Sequence, residues 1–356
     1  VVNWIGLDIG TTGVRAAEVT FCKHGPGCRD HQATLNKYGE TPLPQGAVLD
    51  GEVVEQNSVV RAIKKLWSSE KFSHKNVLLG VANSRVTVRE LELPWLPIQE
   101  LRSSLDLHTG EHLSIPISEA LLDFYPTEEH EGSTGKQARG IFVGVSRDMV
   151  ASNINAVETA GLSPQGVDLL PLALMRSLDA ANASASTVAA VDVGARTTSI
   201  TIIDDGQPRF IRLLSAGGAD ITDRLASLLQ CPPHEAETFK HELGMAYEAP
   251  QHLHEAAQAV IGIANNQIDQ IRSTLDFYAS TAGRKTGPVE LLVLTGRGSM
   301  LNGFGQYLSS ATRLPAMLGD PFAPIKISKT GKKSNQLADA QPQAAGAIGL
   351  AIGVAA

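Results

Sequence analysis

Cysteine is scarce: the 356 residues hold three, Cys22, Cys28 and Cys231. An odd, sparse set excludes a disulfide framework and fits a reducing compartment. Positive charge is in deficit, with a formal net charge of −7. That excludes a broad electrostatic grip on nucleic acid. No apolar run approaches the roughly 20 residues needed to span a bilayer. The most apolar stretch, Ala344–Ala356, reads as a short buried helix. The opening Val1-Val2-Asn3-Trp4-Ile5 lacks the basic-then-apolar pattern of a signal peptide and reads as a strand. Val1 is not a start methionine, which leaves room for residues upstream. Cys22, His24, Cys28 and His31 fall within ten residues. They admit a zinc loop, but without the usual Cys-x₂₋₄-Cys pair, or a polar hairpin tip between two strands.

What is present is ordinary in bulk, at 43% apolar and 19% charged residues, and unusual in arrangement. The length exceeds what one core comfortably serves, so two lobes are expected. Ile5–Val19 and Ala189–Asp204 share a pattern: apolar strand, Asp-x-Gly turn, small polar residues, second strand. Their aspartates, Asp8 and Asp192, lie 184 positions apart. A motif recurring near the start and the middle points to a duplicated domain.

Between the repeats, a helix is expected from about Asn57 to Trp67, and strands over Val77–Val81 and Arg85–Leu91. Pro94, Pro97 and Pro116 break the rhythm and mark an insertion. It should hold a helix from Gln99, a strand near Ala120–Tyr125, a polar loop over Glu128–Gln137 and a strand at Ile141–Val145. Arg147–Ala160 reads as a helix closed by Gly161. After the second repeat, Asp220–Gly283 is mostly helical, with one apolar face through Val260, Ile263, Ala264, Gln267, Ile268, Ile271 and Leu275. Glu290–Leu294 is a buried strand opening into Thr295-Gly296-Arg297-Gly298-Ser299. Lys326–Gln343 reads as a mobile loop before the last helix.

Mg-ATP needs backbone N–H groups around its phosphates, carboxylates that order the hydrated metal, and a pocket for the nucleoside. The two hairpins supply the first two. Mg²⁺ keeps several waters, so two aspartates binding through water suffice. A lone Asp-x-Gly turn is usually only a hairpin, and a lone Gly-x-Gly only a loop. Two of the former and one of the latter, in this order, point to a nucleotide cleft.

Those motifs resemble the phosphate and adenosine motifs of the actin-like ATPase superfamily, which includes actin, Hsp70, sugar kinases and FtsA. Along nearly its whole length the chain resembles more closely the PilM family of type IV pilus assembly proteins. The resemblance rests on Gly6–Gly10, Leu93-Pro94-Trp95-Leu96-Pro97, Ile115–Phe124, Gly217–Thr222, and Ala236–Lys240 followed by Gly244. The segment around Pro116 is the most specific, because sugar kinases and Hsp70 have no counterpart.

The resemblance implies an α/β protein with the actin-like ATPase fold: duplicated ribonuclease-H-like lobes around a nucleotide cleft, plus an inserted FtsA/PilM-type subdomain. Lobe one would comprise about 1–92 and 148–185, completed by a C-terminal helix in 341–356. The insertion, about 93–147, would be the partner-binding subdomain. Lobe two would run over about 186–340, with 223–287 as a helical cap. Asp8 and Asp192 would order Mg²⁺ waters. Gly10, Thr11, Thr12, Gly194, Thr197 and Thr198 would line the phosphates of ATP. Gly217 and Gly218 would approach ribose and phosphates, Glu237 and Lys240 would contact ribose or adenine, and Gly296, Gly298 and Ser299 would flank the adenosine. A solvated helical pair is the plainer reading of Glu237 and Lys240. Arg297 departs from the three consecutive glycines usual in the family, and its side chain would stack on the base or crowd it.

No residue stands out as a water-positioning base, so slow hydrolysis at most is expected. The implied role is a cytoplasmic platform in rings or filaments. It would bind the cytoplasmic tail of the inner-membrane protein PilN, and so reach the membrane indirectly. Two rival readings remain at this point. A small-molecule kinase would need an aspartate base beside a substrate pocket. An FtsA-like divisome protein would end in a basic amphipathic helix.

Overall fold

The first repeat folds as its turn demands: β1 (Val2–Ile9) and β2 (Gly13–Phe21) form an antiparallel hairpin around Gly10-Thr11-Thr12. The computed structural model describes residues 2–21, 33–132, 135–178, 185–245, 249–281, 287–329, 331, 337 and 340–353. The Cys22–His31 segment, and with it the zinc question, lies outside them.

β3 (Thr34–Pro42) continues the meander. A small ribbon, β4 (Val48–Leu49) and β5 (Glu52–Val53), leads into helix α1 (Gln56–Glu70). α1 buries Val59, Val60, Ala62, Ile63 and Leu66, the helical spacing of one apolar face. β6 (Asn76–Val81) then lies parallel to β1.

The insertion is a three-stranded antiparallel sheet of β7 (Thr87–Pro94), β8 (Ala120–Gly132) and β9 (Gly135–Ser146), with β9 in the middle. Helices α2 (Ile98–Ser103) and α3 (Leu105–Thr109) close a small core of Leu93, Leu101, Leu105, Phe124, Ala138 and Phe142. The expected polar loop over Glu128–Gln137 is instead the far end of the β8–β9 hairpin. Opposed charges pair across it, Lys136 with Glu129 at 2.5 Å and Arg139 with Glu92 of β7, so a charged stretch is stable as an exposed ribbon. The sheet also begins at Thr87, six residues before the edge expected from the prolines, because β7 pairs with β9 from its first residue.

Helix α4 (Arg147–Thr159), strand β10 (Ser163–Leu169) and helix α5 (Leu170–Ser177) return to the first sheet, where β10 pairs with β6. The second repeat gives β11 (Thr187–Val193), β12 (Thr198–Asp204) and β13 (Gln207–Leu214). Three helices follow: α6 (Gly218–Leu229), α7 (Pro233–Leu243) and α8 (His254–Thr281). Then come β14 (Leu291–Thr295), helix α9 (Phe304–Thr312) and β15 (Ala316–Leu318).

The duplication shows in strand order. One sheet runs β10-β6-β1-β2-β3, the other β15-β14-β11-β12-β13. In each, the hairpin carrying the Asp-x-Gly turn is flanked by a parallel strand on one side and an antiparallel strand on the other.

Part of the stretch read as a loop before the last helix is ordered by pairing. Lys326–Ile327 forms β16, parallel to β3. Helix α10 (Ala345–Ile352) then packs against β1, β2 and α5 of the first lobe. Its residues Ala345–Ala351 are all buried, as the apolar tail implies. Close approach decides its composition: a Cβ at Gly349 would lie 1.8 Å from the Ala173 carbonyl oxygen of α5.

Candidate nucleotide cleft

The two equivalent hairpins face one cleft of about 750 Å³, within the usual range for small-ligand sites. Asp8 and Asp192 hold corresponding places near the ends of β1 and β11. Asp8 opposes Arg15 across its ladder, and Asp192 opposes Ser199. Each turn closes alike: the Gly10 amide donates to the Gly13 carbonyl and the Gly194 amide to the Thr197 carbonyl, both at 3.0 Å. Gly10, Thr11 and Thr12 line one wall, and Gly194, Ala195, Arg196, Thr197 and Ser199 the other.

The third motif comes in from β14. Gly296 sits at φ +78°, where a Cβ would lie 2.4 Å from the Val193 carbonyl oxygen and 2.7 Å from Asp192 Oδ1. A Cβ at Gly298 would press on Val193 Cγ1 at 2.4 Å. The Gly-x-Gly turn is thus packed flush against the end of β11, beside the second aspartate. Arg297 has neither a positive φ nor such a neighbour, so a side chain fits there without displacing the turn. Its side chain, among those that line the cleft, reaches across to Glu40 of β3, Nη2 to Oε2 3.3 Å.

Most of the expected residues meet here: Asp8, Gly10, Thr11, Thr12, Asp192, Gly194, Thr197, Gly218, Glu237, Lys240, Gly296 and Gly298 all line the cleft. Three do not. Thr198 is fully buried; its hydroxyl donates to the Ala216 carbonyl at 2.8 Å and accepts from Gln267 of α8. It pins the second hairpin to the helical layer, and the cleft-facing hydroxyl is that of its neighbour Ser199. Alternation along β12 explains the exchange. Ser299 turns back to donate to the Gly296 carbonyl at 2.7 Å. Gly217 caps α6, its amide donating to Asp220 at 2.9 Å, with its α-carbon against the Ala195 carbonyl.

Lys240 is not a solvated partner of Glu237. It is buried, and its ammonium donates to Glu237 (2.7 Å), Thr222 Oγ1 (3.1 Å) and the Gly218 carbonyl (3.2 Å). All three N–H bonds are engaged, so Lys240 ties α7 to α6 and positions Glu237. Burial alone would raise the Glu237 pKa, but the hydrogen bonds from Lys240 and Thr222 outweigh it and hold it below the ordinary carboxylate value.

Several contributors carried no motif. Arg15 is buried with Nη1 3.6 Å from Asp8 and Nη2 2.9 Å from Glu40. Period-two spacing in the hairpin was the available signal for it. Arg196 pairs with Asp220 at 3.1 Å and with Asp223 on α6. Gly296 N and Thr295 Oγ1 both donate to the Pro342 carbonyl, at 2.7 and 2.6 Å. The segment entering α10 therefore joins the lobes at the cleft.

Every Lys and Arg in the described wall is thus already paired with a carboxylate. The carboxyls are the unsettled groups. Burial raises the pKa of Asp8, against the pull of Arg15. Burial and the facing Asp8 push Asp192 up to about 7. A pKa raised above its unfolded value contributes stability that is complete below about 4 and lost as pH rises through about 7. Asp192→Asn should therefore stabilise the ligand-free protein most at pH 8, less at pH 5, and little below about pH 4. Thermal melts of both proteins across that range check the sign.

The sequence matches the family described as type IV pilus assembly protein PilM over residues 6–354. The chain belongs to that family. Among curated relatives, the cell division protein FtsA of Neisseria meningitidis serogroup B (strain ATCC BAA-335 / MC58) is 24% identical over 359 residues, covering 88% of this chain and 83% of that protein. FtsA of Bacillus subtilis (strain 168) is 22% identical over 270 residues, 68% of this chain but only 58% of the relative. Among solved structures, the PilM-PilN type IV pilus biogenesis complex matches with a TM-score of 0.84 at 24% identity, covering 99% of this chain and 98% of that one. MreB5 of Spiroplasma citri bound to ADP matches at 0.51 and 12% identity, covering 90% and 92%. At these identities the structural likeness shows the fold, which is the actin-like one. Among the described residues of this PilM-family protein no helix is long and apolar enough to cross a membrane, and no three His, Cys, Asp or Glu side chains cluster as a metal site.

Proposed function

We propose that this PilM-family chain binds Mg-ATP between its lobes and acts as a cytoplasmic platform for type IV pilus assembly. The observation that carries the nucleotide reading is the convergence of two equivalent Asp-x-Gly hairpins on one cleft. The residues fit the ligand. Two carboxyls with raised pKa values, Asp8 buried and Asp192 partly exposed to the cleft, ask for a cation, and they would hold a hydrated Mg²⁺ through its waters. The bound metal would neutralise phosphate charge. The wall cations are spent on carboxylates, so a triphosphate without metal finds little to offset its charge.

The chain's own part is binding and orientation. The Gly10 and Gly194 amides close their turns, leaving the following residues, Thr11, Thr12, Ala195 and Arg196, to offer amides to phosphate. Gly218 at the start of α6 approaches from a third side, and Glu237, held by Lys240 and Thr222, presents a carboxylate to a ribose hydroxyl. The structures of MreB5 with ADP, and with AMPPNP at a TM-score of 0.50, support a nucleotide in this fold.

Asp8 and Asp192 are assigned here to the metal, and Glu237, the other carboxylate that lines the described cleft, is held by Lys240 and Thr222. Phosphate release in a steady-state assay should therefore fall far below the roughly 10 s⁻¹ typical of enzymes. Rapid release that disappears in Asp8→Ala would replace the platform reading with an ATPase motor.

The expected partner is the cytoplasmic tail of an inner-membrane protein of the PilN kind, a reading supported by the likeness to a PilM-PilN complex. Membrane association would be indirect, with rings or filaments of the chain itself as the platform and no role for nucleic acid. Isothermal calorimetry with Mg-ATP and with a synthetic tail peptide tests both halves. Absence of either signal removes that half.

A further inference from the structure

We propose that Arg297 and Glu40 form a latch across the mouth of the cleft that sets how long a bound nucleotide stays. The inference rests on the nucleotide reading above and adds to it a determinant of release. Arg297 belongs to lobe two, on the turn after β14. Glu40 belongs to lobe one, near the end of β3. They stand 257 residues apart in sequence and 3.3 Å apart in space.

The two partners are held differently. Glu40 is largely buried, and its Oε1 accepts from Arg15 Nη2 at 2.9 Å. Arg15 is itself buried and reaches Asp8. Glu40 is therefore a fixed post on lobe one, already neutralised from within. Only its second oxygen, Oε2, meets Arg297, whose side chain is 61% exposed. The Arg297 backbone cannot shift inward or slide, because Gly296 and Gly298 on either side are seated against β11. The exposed side chain can make or break the contact with Glu40 without moving that turn.

This asymmetry suits a gate rather than a brace. Parting the cleft mouth at this point breaks an exposed ion pair, and Glu40 keeps Arg15 when it does. Exposed pairs are worth little, and salt screens them. The expected consequence is kinetic. A nucleotide between the lobes leaves when they part, so losing the latch speeds release and leaves association nearly unchanged. The pair also lies on a continuous line, Arg297–Glu40–Arg15–Asp8, from the mouth to the first aspartate. An occupant that draws Asp8 away from Arg15 leaves that guanidinium to Glu40 and steadies the post.

The test uses the whole chain with Mg²⁺ and a fluorescent ATP analogue, chased with excess ATP in a stopped-flow instrument. Arg297→Ala should release the analogue about two- to fivefold faster than the parent in about 0.1 M salt, the scale of one exposed ion pair. The difference should shrink in about 1 M salt, where the Debye length falls to about 3 Å. Arg297→Lys, which keeps the charge, should restore most of the parent's slow release. Melting temperatures of the three proteins should agree, separating the latch from a general loss of stability. Unchanged release in Arg297→Ala overturns the latch while leaving the nucleotide site standing. Slower release also overturns it, since the side chain then obstructs the base. Absence of any binding by the parent overturns the nucleotide reading and the latch with it.

Discussion

Asp8→Ala and Asp192→Ala are each expected to weaken Mg-ATP binding by about 10–100-fold, the usual cost of losing a group that holds a metal through its outer shell. The two aspartates come from equivalent positions in duplicated hairpins, and each is buried enough to resist ionisation without a cation. Mg²⁺ would supply that cation. The losses should differ in kind. Asp8 shares Arg15, so its removal leaves that guanidinium beside the phosphates and offsets part of the damage. Asp192 has no such partner, only Ser199 opposite it, and its removal should cost more. Binding should also weaken as pH falls through about 7, where protonated Asp192 must lose its proton to serve the metal. Calorimetry across pH 6 to 8 measures all three effects. Parent-like affinity in both variants would remove the cleft assignment.

Much of this cleft was legible because its motifs are local. Asp8 and Asp192 announce themselves through the turn each precedes, and the apolar strands before them leave little choice of secondary structure. Gly296 and Gly298 could be placed by the strand ahead of them, though not the reason for them, which is contact with Val193. What escaped notice was set by long-range packing. Thr198 and Ser199 are adjacent hydroxyls, and only the far side of the sheet, where Gln267 descends from α8, decides which one faces the ligand. For Lys240 a polar helix leaves open both a ligand contact and a solvated pair with Glu237, and only Thr222 and the Gly218 carbonyl, from α6, exclude the solvated pair. The Arg15–Glu40–Arg297 line joins three segments with no shared motif.

The insertion shows the same limit. Its prolines mark it, but from sequence alone its charged hairpin reads as a loop, since charge alternation in an exposed ribbon resembles polar coil. The pairing of Lys136 with Glu129, and of Arg139 with Glu92, is visible only once the register is fixed.

That register also decides how the partner site should be tested. Deleting residues 97–147 would remove β8 and β9, and β9 is the central strand. β7 would lose its sheet, and Val86, Met149 and Ile211, which pack with Ile141 and Val145, would be uncovered. Lost binding would then report unfolding. Point substitutions on the exposed apolar residues of the insertion are cleaner. Trp95, Ile98, Leu107 and Ile117 are 40%, 39%, 79% and 39% exposed, and each lies outside the β8–β9 ladder. A tail peptide that orders on binding should have micromolar affinity, about −8 kcal/mol. Leu107→Asp with Ile117→Asp would set carboxylates against an apolar peptide face, and buried charge without a partner is costly. The double variant should bind the peptide about 100-fold more weakly or not at all. Mg-ATP affinity should stay at the parent value, because neither residue lines the cleft. Undiminished peptide binding would move the partner site off this face of the insertion. Loss of Mg-ATP binding together with the peptide would show that the insertion shapes the cleft, and would bring a small-molecule kinase back into contention.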